Sequence, residues 1–274
     1  MDVDYLMKRE MLRRGYSLRT IQSYCGCLNQ FFKFRMNKSP RKITKRDVKD
    51  FIDKRLVDKN KAGNTINLYF NAIKFFMENI LNKRLFYNIK YSKVPKRLPV
   101  VLTKDEIKKL IDSIENPKHK LMIRLMYSAG LRVSELVKLK IEDFQFDKNY
   151  GWVRQGKGKK DRMFIIADSL NEELQRFILE NNLESHIFIG YKGCHISQRS
   201  IQEIIRKSTK KAKIKKRISP HTLRHSFATH LIENGYDVAS VQSLLGHNSA
   251  ETTMIYLHIA NPKMINVKSP LDSL

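Results

Sequence analysis

This 274-residue sequence has few cysteines, few acidic residues and no long apolar run. Its longest apolar runs are about five residues, as at 163–167, whereas a membrane-spanning helix needs roughly 20, so we predict no such helix. Three cysteines, an odd number, cannot make a disulfide framework. We therefore expect all three thiols to be reduced and the protein to be intracellular.

The shortage of acidic residues makes net charge the most informative quantity in the sequence. The chain has 53 Lys and Arg against 27 Asp and Glu, a formal net charge of +26. Such an excess indicates a polyanionic partner, and nucleic acid is the first candidate. The alternatives are a generic basic surface and a thermophile-like charge pattern, but thermophile enrichment usually raises both signs together. Membrane-surface binding is disfavoured because no segment joins a basic face to a strongly apolar one.

A proline- and cation-rich stretch at 91–99 divides the chain. Its two prolines cannot continue a helix, so we expect the stretch to be extended. Residues 1–98 hold 24 basic and 8 acidic side chains, and residues 99–274 hold 29 and 19. Because both halves are basic, we expect both to face the same polyanion, with the linker lying near phosphate.

Apolar periodicity predicts a mainly α-helical protein with one small antiparallel sheet. Four helices are predicted in the first half: near 3–13, from Ser17, from Thr44 to about Val57, and over 62–81. The aromatic residues of this half recur at helical spacing and are interpreted as core rather than as base-stacking residues. The second half is predicted to hold three strands within 142–167, and helices that begin at Thr103, near 119, and at 132, 169, 198, 220, 237 and 250.

The first candidate motif is Ser-Pro-His-Thr-Leu-Arg-His at 219–225. Ser219 is a good N-cap and Pro220 a good first helical residue, so the motif predicts a helix N-terminus. His221 and Arg224 then share a face in the first turn. A helix N-terminus favours phosphate, an imidazole can exchange a proton, and a guanidinium can bind two oxygens at once.

Two further motifs carry cations. In 130–136, Arg132 and Glu135 are three residues apart, an arrangement also found in surface ion pairs that contribute little stability. In 156–158, two glycines flank Lys157 at a predicted hairpin tip, where the backbone can approach a ligand and the lysine can swing. Taken alone, the second motif is better explained as an ordinary exposed turn.

The last motif lies between 244 and 258. Gly246 is typical of a helix C-cap, His247 follows it, and Tyr256 stands nine residues further on. A lone tyrosine is most often a half-buried core residue, so the tyrosine alone does not indicate a site. A metal site is also disfavoured, because the histidines of 221–230 are spaced by four and five with no Cys, Asp or Glu to complete a usual zinc set.

Together these motifs resemble those of the tyrosine recombinase (phage integrase) family, and most closely the archaeal-like Xer-type site-specific recombinases. The family's first arginine box resembles 130–136, its hairpin lysine 156–158, its H-x-L-R-H box 221–225 and its last box 245–258. The resemblance covers essentially the whole chain and is most specific over 124–258. The sequence departs from the pattern at 163–166, where many relatives carry a proline, and we expect no catalytic consequence.

The resemblance implies a two-domain, C-shaped DNA clamp that is mainly α with a small antiparallel β-sheet. Its first part would be a helical core-binding (SAM-like) DNA-binding domain at 1–90, followed by a linker at 91–99. An α+β tyrosine recombinase catalytic domain would occupy 100–260. A C-terminal docking segment would follow at 261–274.

The resemblance also implies strand cleavage by six catalytic residues: Arg132, Lys157, His221, Arg224, His247 and the nucleophile Tyr256. The tyrosine would attack a DNA phosphodiester and give a 3′-phosphotyrosine with a free 5′-hydroxyl. The two arginines would bind the non-bridging oxygens of the transition state, and His247 would add a hydrogen bond. Lys157 would protonate the departing 5′-oxygen, His221 would accept the tyrosine proton, and Glu135 would orient the histidine side of the cluster.

The implied cofactor set is empty, because side-chain cations replace a metal ion and the phosphotyrosyl bond keeps the phosphodiester energy without ATP. The implied partners are double-stranded DNA at a specific palindromic site and further copies of the chain. These copies would form a tetramer on two sites, with the C-terminal segment docking between subunits. We expect no membrane partner and a cytoplasmic, nucleoid-associated protein.

The implied function is Xer-like resolution of chromosome dimers, a step of chromosome partition in the cell cycle. Three alternatives stay open on the sequence. A mobile-element (virus or plasmid) integrase or excisionase would share the chemistry, and a DNA-binding protein with a dead site would lack it. A type IB topoisomerase would share it but relax any sequence without synapsis.

Overall fold

The computed structural model describes residues 2–36, 38–85, 89–95, 98–154, 161–190, 193–246 and 250–257. Two compact units make up the chain, Met1–Lys96 and Arg97–Leu274, and they divide inside the stretch predicted to be a linker. The predicted docking segment at 261–274 lies outside the described residues.

All the regular secondary structure in the described part of the first unit is helical. Its helices are α1 (Val3–Arg13), α2 (Leu18–Phe34), α3 (Lys45–Phe51) and α4 (Gly63–Phe75), and π-helical turns at Ile52–Val57 and Phe76–Ile80 follow the last two. Ser17 and Thr44 cap α2 and α3, because their side chains accept hydrogen bonds from backbone N–H groups in the first turn. The four predicted helices are confirmed, and the third and fourth end in wider turns.

Aromatic side chains form much of the core of the first unit. Phe31, Phe51 and Phe76 are fully or almost fully buried. The rings of Phe31 and Phe51 meet edge to face, with centroids 5.3 Å apart. The interpretation of these aromatic residues as core is therefore confirmed.

The second unit combines helices with a small sheet, as predicted. Its described elements are α5 (Lys104–Asp112), α6 (Pro117–Ser128), α7 (Val133–Leu136), β1 (Phe144–Gln145), β2 (Tyr150–Val153), β3 (Arg162–Ile165), α8 (Asp168–Glu180), α9 (Gln198–Lys211), α10 (Pro220–Glu233), α11 (Val238–Leu245) and α12 (Ala250–Leu257). The fold class, mainly α with a small antiparallel sheet, is confirmed. Within the described ranges, no helix is both long and apolar enough to cross a membrane.

The sheet is antiparallel in the order β1-β2-β3, so each strand pairs with its neighbour in sequence. Gly151 on β2 pairs with Phe164 on β3. A Cβ at position 151 would come within 2.4 Å of the Phe164 ring, so the ring occupies the space that only a glycine leaves. At the other end of the pairing, Arg162 faces the interior beside Val153.

Helix α10 lies at the centre of the second unit, where it packs against α6, α9, α11 and α12. Ten of its 14 residues are buried, so the helix has no wide polar face. One of its buried polar groups joins it to the chain before α5, because the Ser226 hydroxyl accepts from the Leu102 N–H at 2.9 Å. Any site carried by α10 is therefore held by a helix packed on several sides.

Candidate active site

The N-terminal turn of α10 brings Arg224 into the interior. Ser219 caps the helix and Pro220 is its first residue, as predicted. Arg224 is 3% exposed and donates hydrogen bonds to the carbonyl oxygens of Gly130, at 2.6 Å, and Leu245. These two bonds join α10 to the segments that precede Arg132 and His247 in the sequence.

Arg132 and Glu135 form an ion pair whose carboxylate is buried, rather than a surface ion pair. Arg132 is the N-cap of α7. Its backbone N–H donates to the Glu135 carboxylate at 2.8 Å, and its guanidinium donates to the same carboxylate at 2.6 Å. Glu135 is only 6% exposed, whereas Arg132 is half-buried and partly open to solvent. The guanidinium of Arg132 can therefore meet a ligand while its carboxylate partner stays inside the protein.

A third arginine, Arg162 on β3, contacts the same carboxylate. Its guanidinium donates to Glu135 at 2.7 Å and to the carbonyl oxygen of Leu244. Arg162 is 7% exposed. A Cβ at Gly246 would lie 2.7 Å from Cδ of Arg162, so the glycine leaves room for this side chain. Arg162 thus ties the sheet to Glu135 and to the end of α11.

The charges of this cluster are unequal, with three guanidiniums around one carboxylate. Burial alone would raise the pKa of Glu135, but Arg162 and Arg132 hold it below its ordinary value, so the carboxylate is ionised at neutral pH. Burial, together with Arg132 and Arg162, lowers the pKa of Arg224 to about 9, which still leaves it a cation at pH 7. The described cluster is therefore net positive and suited to an anion.

Tyr256 lies against this cluster on α12. Its side chain is 2% exposed, and its hydroxyl shares a 2.9 Å hydrogen bond with Nδ1 of His225. Burial raises the pKa of Tyr256, while Arg224 and Arg132 act in the opposite direction. The structure thus places Tyr256 where the charges of Arg224 and Arg132 act on its hydroxyl, and its predicted role as nucleophile stays a prediction.

His221, the predicted proton acceptor, is an exposed residue one turn before His225 on α10. Its ring centroid is 6.4 Å from that of His225. Although the residue is exposed, partial desolvation of the ring and the charges of Arg224 and Arg132 lower the pKa of His221. The histidine that contacts the tyrosine hydroxyl is therefore His225 and not His221, whose predicted role stays a prediction.

Two predicted site residues, Lys157 and His247, lie outside the described residues. Lys157 stands between β2 and β3 in the sequence, and these two strands pair antiparallel, as the predicted hairpin requires. Gly246, directly before His247, ends α11 in the left-handed conformation with φ of 60°, which confirms the predicted C-cap. In the parts of the chain that the structure describes, no group of three or more His, Cys, Asp or Glu side chains is placed to hold a metal ion.

Family comparison assigns this arrangement to a known group of proteins. Residues 100–262 match the model of the phage integrase family, and residues 6–86 match that of the phage integrase N-terminal SAM-like domain. The chain belongs to the phage integrase family. It is a tyrosine recombinase, a DNA strand-transferase.

Curated relatives of this tyrosine recombinase carry both Xer and integrase names. It is 37% identical to the tyrosine recombinase XerA of Pyrococcus horikoshii, in an alignment that covers 89% of this chain and 85% of the relative. It is 31% identical to an integrase/recombinase of Escherichia coli, in an alignment that covers 97% of this chain and 92% of the relative. The predicted Xer-type resemblance is confirmed.

Solved structures of recombinases share the fold. A crystal structure of XerA recombinase matches with a TM-score of 0.55 and 32% identity, covering 94% of this chain and 93% of that one. The XerH recombinase bound to its palindromic difH substrate matches with a TM-score of 0.75 and 24% identity, covering 94% and 82%. The second likeness concerns the fold alone.

Two residues of the recombinase site, Arg162 and His225, were not predicted from the sequence. A signal existed for each. On β3, Arg162 and Phe164 alternate with exposed residues, so an arginine on the inward face of a strand indicates a buried partner for its charge. His225 stands four residues after His221, which places both on one face of α10.

Proposed function

We propose that this recombinase cuts duplex DNA with the hydroxyl of Tyr256 and holds the cut strand as a 3′-phosphotyrosine. The observation that carries the proposal is that Tyr256 is buried on α12, which packs on the helix of Arg224, and that its pKa responds to the charges of Arg224 and Arg132. Two cations that act electrostatically on one phenol hydroxyl suit the charge that builds up on a phosphodiester under attack. The bond made to the enzyme then replaces the bond broken in the DNA, so religation can follow without an external energy source.

In this proposal, Arg132 and Arg224 bind the non-bridging phosphate oxygens. Glu135 and the carbonyls of Gly130 and Leu245 fix the two guanidiniums before DNA arrives, which reduces reorganisation during the reaction. Lys157 protonates the leaving 5′-oxygen and His247 donates to the phosphate. His221 accepts the tyrosine proton. No metal ion or ATP takes part.

The biological role we propose is Xer-like, namely the resolution of chromosome dimers at a specific palindromic site. The 37% sequence identity to XerA, in an alignment that covers 89% of the chain, supports this role. A mobile-element integrase is the second candidate, because the integrase/recombinase of Escherichia coli is matched along 97% of the chain. The chemistry of the two candidates is the same, so only the DNA site distinguishes them.

The assembly we propose is a tetramer on two sites, in which residues 261–274 dock on a neighbouring subunit. The segment follows Tyr256 closely in sequence, so the place where it docks would bear on the nucleophile. A chain shortened by residues 261–274 should bind a single site normally and fail to recombine two sites. Normal recombination by the shortened chain would refute the docking proposal.

Covalent trapping on nicked DNA tests the proposed nucleophile. A suicide substrate loses the short 5′ fragment after cleavage, so the protein–DNA adduct accumulates and is counted on a denaturing gel. We expect Tyr256→Phe to bind the substrate with unchanged affinity and to form no adduct. Tyr236→Phe is the matched control, because Tyr236 is 56% exposed and should form adduct at the normal rate. A normal adduct with the Tyr256 variant would exclude Tyr256 as the nucleophile.

Recombination in cells distinguishes the two biological roles. A chromosomal repeat of palindromic character near the gene should be recombined by the protein when two copies are placed on one plasmid. Recombination of that repeat, with chromosome dimers accumulating when the gene is deleted, would support the Xer-like role. Recombination only at the ends of a mobile element would favour the integrase role.

A further inference from the structure

The hydroxyl of Tyr256 lies in an enclosed position in this DNA-free structure. Helix α12 packs on α10 and α11, and this packing leaves the tyrosine 2% exposed. In-line attack needs the phosphorus within about 3–3.5 Å of the hydroxyl oxygen. A DNA phosphodiester cannot come so close to a side chain that is shut away from solvent. Tyr256 must therefore move, or its surroundings must open, before it can react.

Among the described residues, His225 hydrogen-bonds the hydroxyl in this position. Its Nδ1 lies 2.9 Å from the tyrosine oxygen, and the two ring centroids are 5.6 Å apart. The imidazole comes from α10, the central helix, so one partner of the hydrogen bond is held rigidly. Burial, helped by His221 and Arg224, lowers the pKa of His225 to about 4, so the ring is neutral at pH 7.

We propose that His225 is a positioning residue that retains Tyr256 in its enclosed position, and that the His225–Tyr256 hydrogen bond must break before the tyrosine attacks DNA. This inference rests on the proposed role of Tyr256 as nucleophile. It assigns His225 a function separate from that of His221, which is exposed and does not contact the hydroxyl. A single hydrogen bond of this kind changes an opening equilibrium on the order of two- to tenfold.

A second His–Tyr pair on the same helix provides a matched control. Nδ1 of His230 and the hydroxyl of Tyr127 on α6 are 2.8 Å apart, and His230 is 6% exposed. Like the first pair, it joins α10 to a tyrosine on a neighbouring helix. Replacement of His230 should lower thermal stability, and it should leave the reactivity of Tyr256 unchanged.

Chemical modification of the DNA-free full-length protein tests the proposal. Tetranitromethane nitrates accessible tyrosines, and mass spectrometry of peptides reports the rate at Tyr256. We expect the rate in His225→Ala to rise about two- to tenfold over wild type. His225→Asn should keep the slow rate, because an asparagine amide places a hydrogen-bonding atom near the position of Nδ1. An unchanged rate in His225→Ala, or equally fast modification in both variants, would overturn the proposal.

Cleavage of the nicked substrate gives the second readout. His225→Ala should cleave at least as fast as wild type with unchanged DNA affinity, because Tyr256 is held less firmly in its enclosed position. A slower reaction at unchanged affinity would place His225 in the chemistry and overturn the proposal. A separate result would show that Tyr256 is not the nucleophile: the Tyr256→Phe variant would then still form the adduct.

The hydrogen bond can also be observed without replacing His225, in case that variant does not fold. In protein labelled with ¹⁵N-histidine, the Tyr256→Phe change should shift the Nδ1 resonance of His225 and leave those of His230 in place. An unshifted His225 resonance would show that the hydrogen bond is absent in solution and would overturn the proposal.

Discussion

Glu135 is the residue around which the cations of the site are arranged. Its carboxylate accepts from Arg132 and Arg162, and it lies 3.8 Å from Arg224. A buried carboxylate with so many donors is held in one place, and in turn it holds the donors. Removing Glu135 would leave three guanidiniums without a carboxylate, and removing an arginine would leave a buried oxygen of Glu135 without its hydrogen bond, and both changes are costly in the interior.

Arg162 is the partner whose replacement is most informative. Arg162→Lys keeps the charge but loses the planar fork that reaches Glu135 and Leu244 together. We expect a loss of about 2–4 kcal/mol in the free energy of unfolding. Single-turnover cleavage should fall roughly 10- to 100-fold at unchanged DNA affinity, because small misplacements of reacting groups are costly. Urea unfolding, cleavage kinetics and DNA titration measure the three quantities.

Arg154→Lys is the control for that substitution. Arg154 also pairs with a carboxylate, that of Asp143 at 3.0 Å, but its side chain is 60% exposed. It should therefore behave like wild type in stability and cleavage. Wild-type cleavage by Arg162→Lys would show that Arg162 has no part in placing Glu135.

Lys157 is expected to act on the leaving group. Lys157→Ala should slow cleavage strongly on ordinary DNA, because the departing 5′-alkoxide needs a proton. A substrate with a sulfur at the bridging 5′ position leaves as a thiolate, which needs little protonation, and should be cleaved nearly normally by the variant. Equally slow cleavage of both substrates would exclude Lys157 as the acid.

At the scale of elements, side-chain caps stabilise the N-termini of several helices. In α5, the Thr103 hydroxyl accepts from the Glu106 N–H at 3.2 Å, and the Glu106 carboxylate accepts from the Thr103 N–H at 2.8 Å. In α3, Thr44 and Asp47 form the same capping box. Asp47 has a second function there, since it also pairs with Arg35 and Lys38.

The acid stability of the first unit should depend on Asp47. Burial opposes ionisation of Asp47, but Lys38, Thr44 and Arg35 lower its pKa to about 2. A carboxylate with a lowered pKa stabilises the fold fully above its unfolded pKa of about 3.9, and this stability is lost as the pH falls towards 2. Because Lys38 and Arg35 are partly exposed, we expect a contribution of about 1–2 kcal/mol.

Thermal unfolding as a function of pH measures this contribution. Asp47→Asn should be less stable than wild type at pH 7, and the difference should shrink between pH 4 and pH 2. Asp53→Asn is the control, because Asp53 is exposed and should show no such difference. A constant difference across this range would assign the effect of Asp47 to hydrogen bonding alone.

Caps, helix ends and the hairpin could be predicted from the sequence because their causes are local. Thr103 with Glu106, and Gly246 at the end of α11, act within a few residues. Arg162 and His225 could not be assigned in the same way, because their partners Glu135 and Tyr256 are 27 and 31 residues away. Contacts at such distances follow from packing, and periodicity gives no information about them. The resemblance supplied Tyr256 and the two arginines, but not the histidine that holds the tyrosine.

At the scale of the whole molecule, charge is spread over both units. The chain carries a net charge of +26, and each half of the sequence is basic. A basic surface of this extent favours a long polyanion over a compact one. The phosphate backbone of DNA should therefore supply most of the affinity, and contacts with bases should supply the choice of site.

The affinity for DNA should fall steeply with salt. Each phosphate contact contributes a slope of about −0.9 in a plot of log K against log salt concentration. With about 6–10 contacts, the affinity should fall roughly 10³- to 10⁵-fold between 50 and 200 mM salt. Fluorescence anisotropy with the Tyr256→Phe variant measures this without cleavage. Binding that does not respond to salt would contradict a phosphate-based interaction.

The burial of α10 determines which backbone amides of the second unit should exchange slowly with solvent. Backbone amides in a helix enclosed by four others exchange their hydrogens with solvent only when a large part of the unit opens. Arg224 is carried by such a helix, whereas Tyr256 is carried by the eight-residue α12. Short helices depend on docking for their stability and exchange at lower free energy. The recombinase therefore places Arg224 on slowly exchanging backbone and its nucleophile on backbone that opens at small cost.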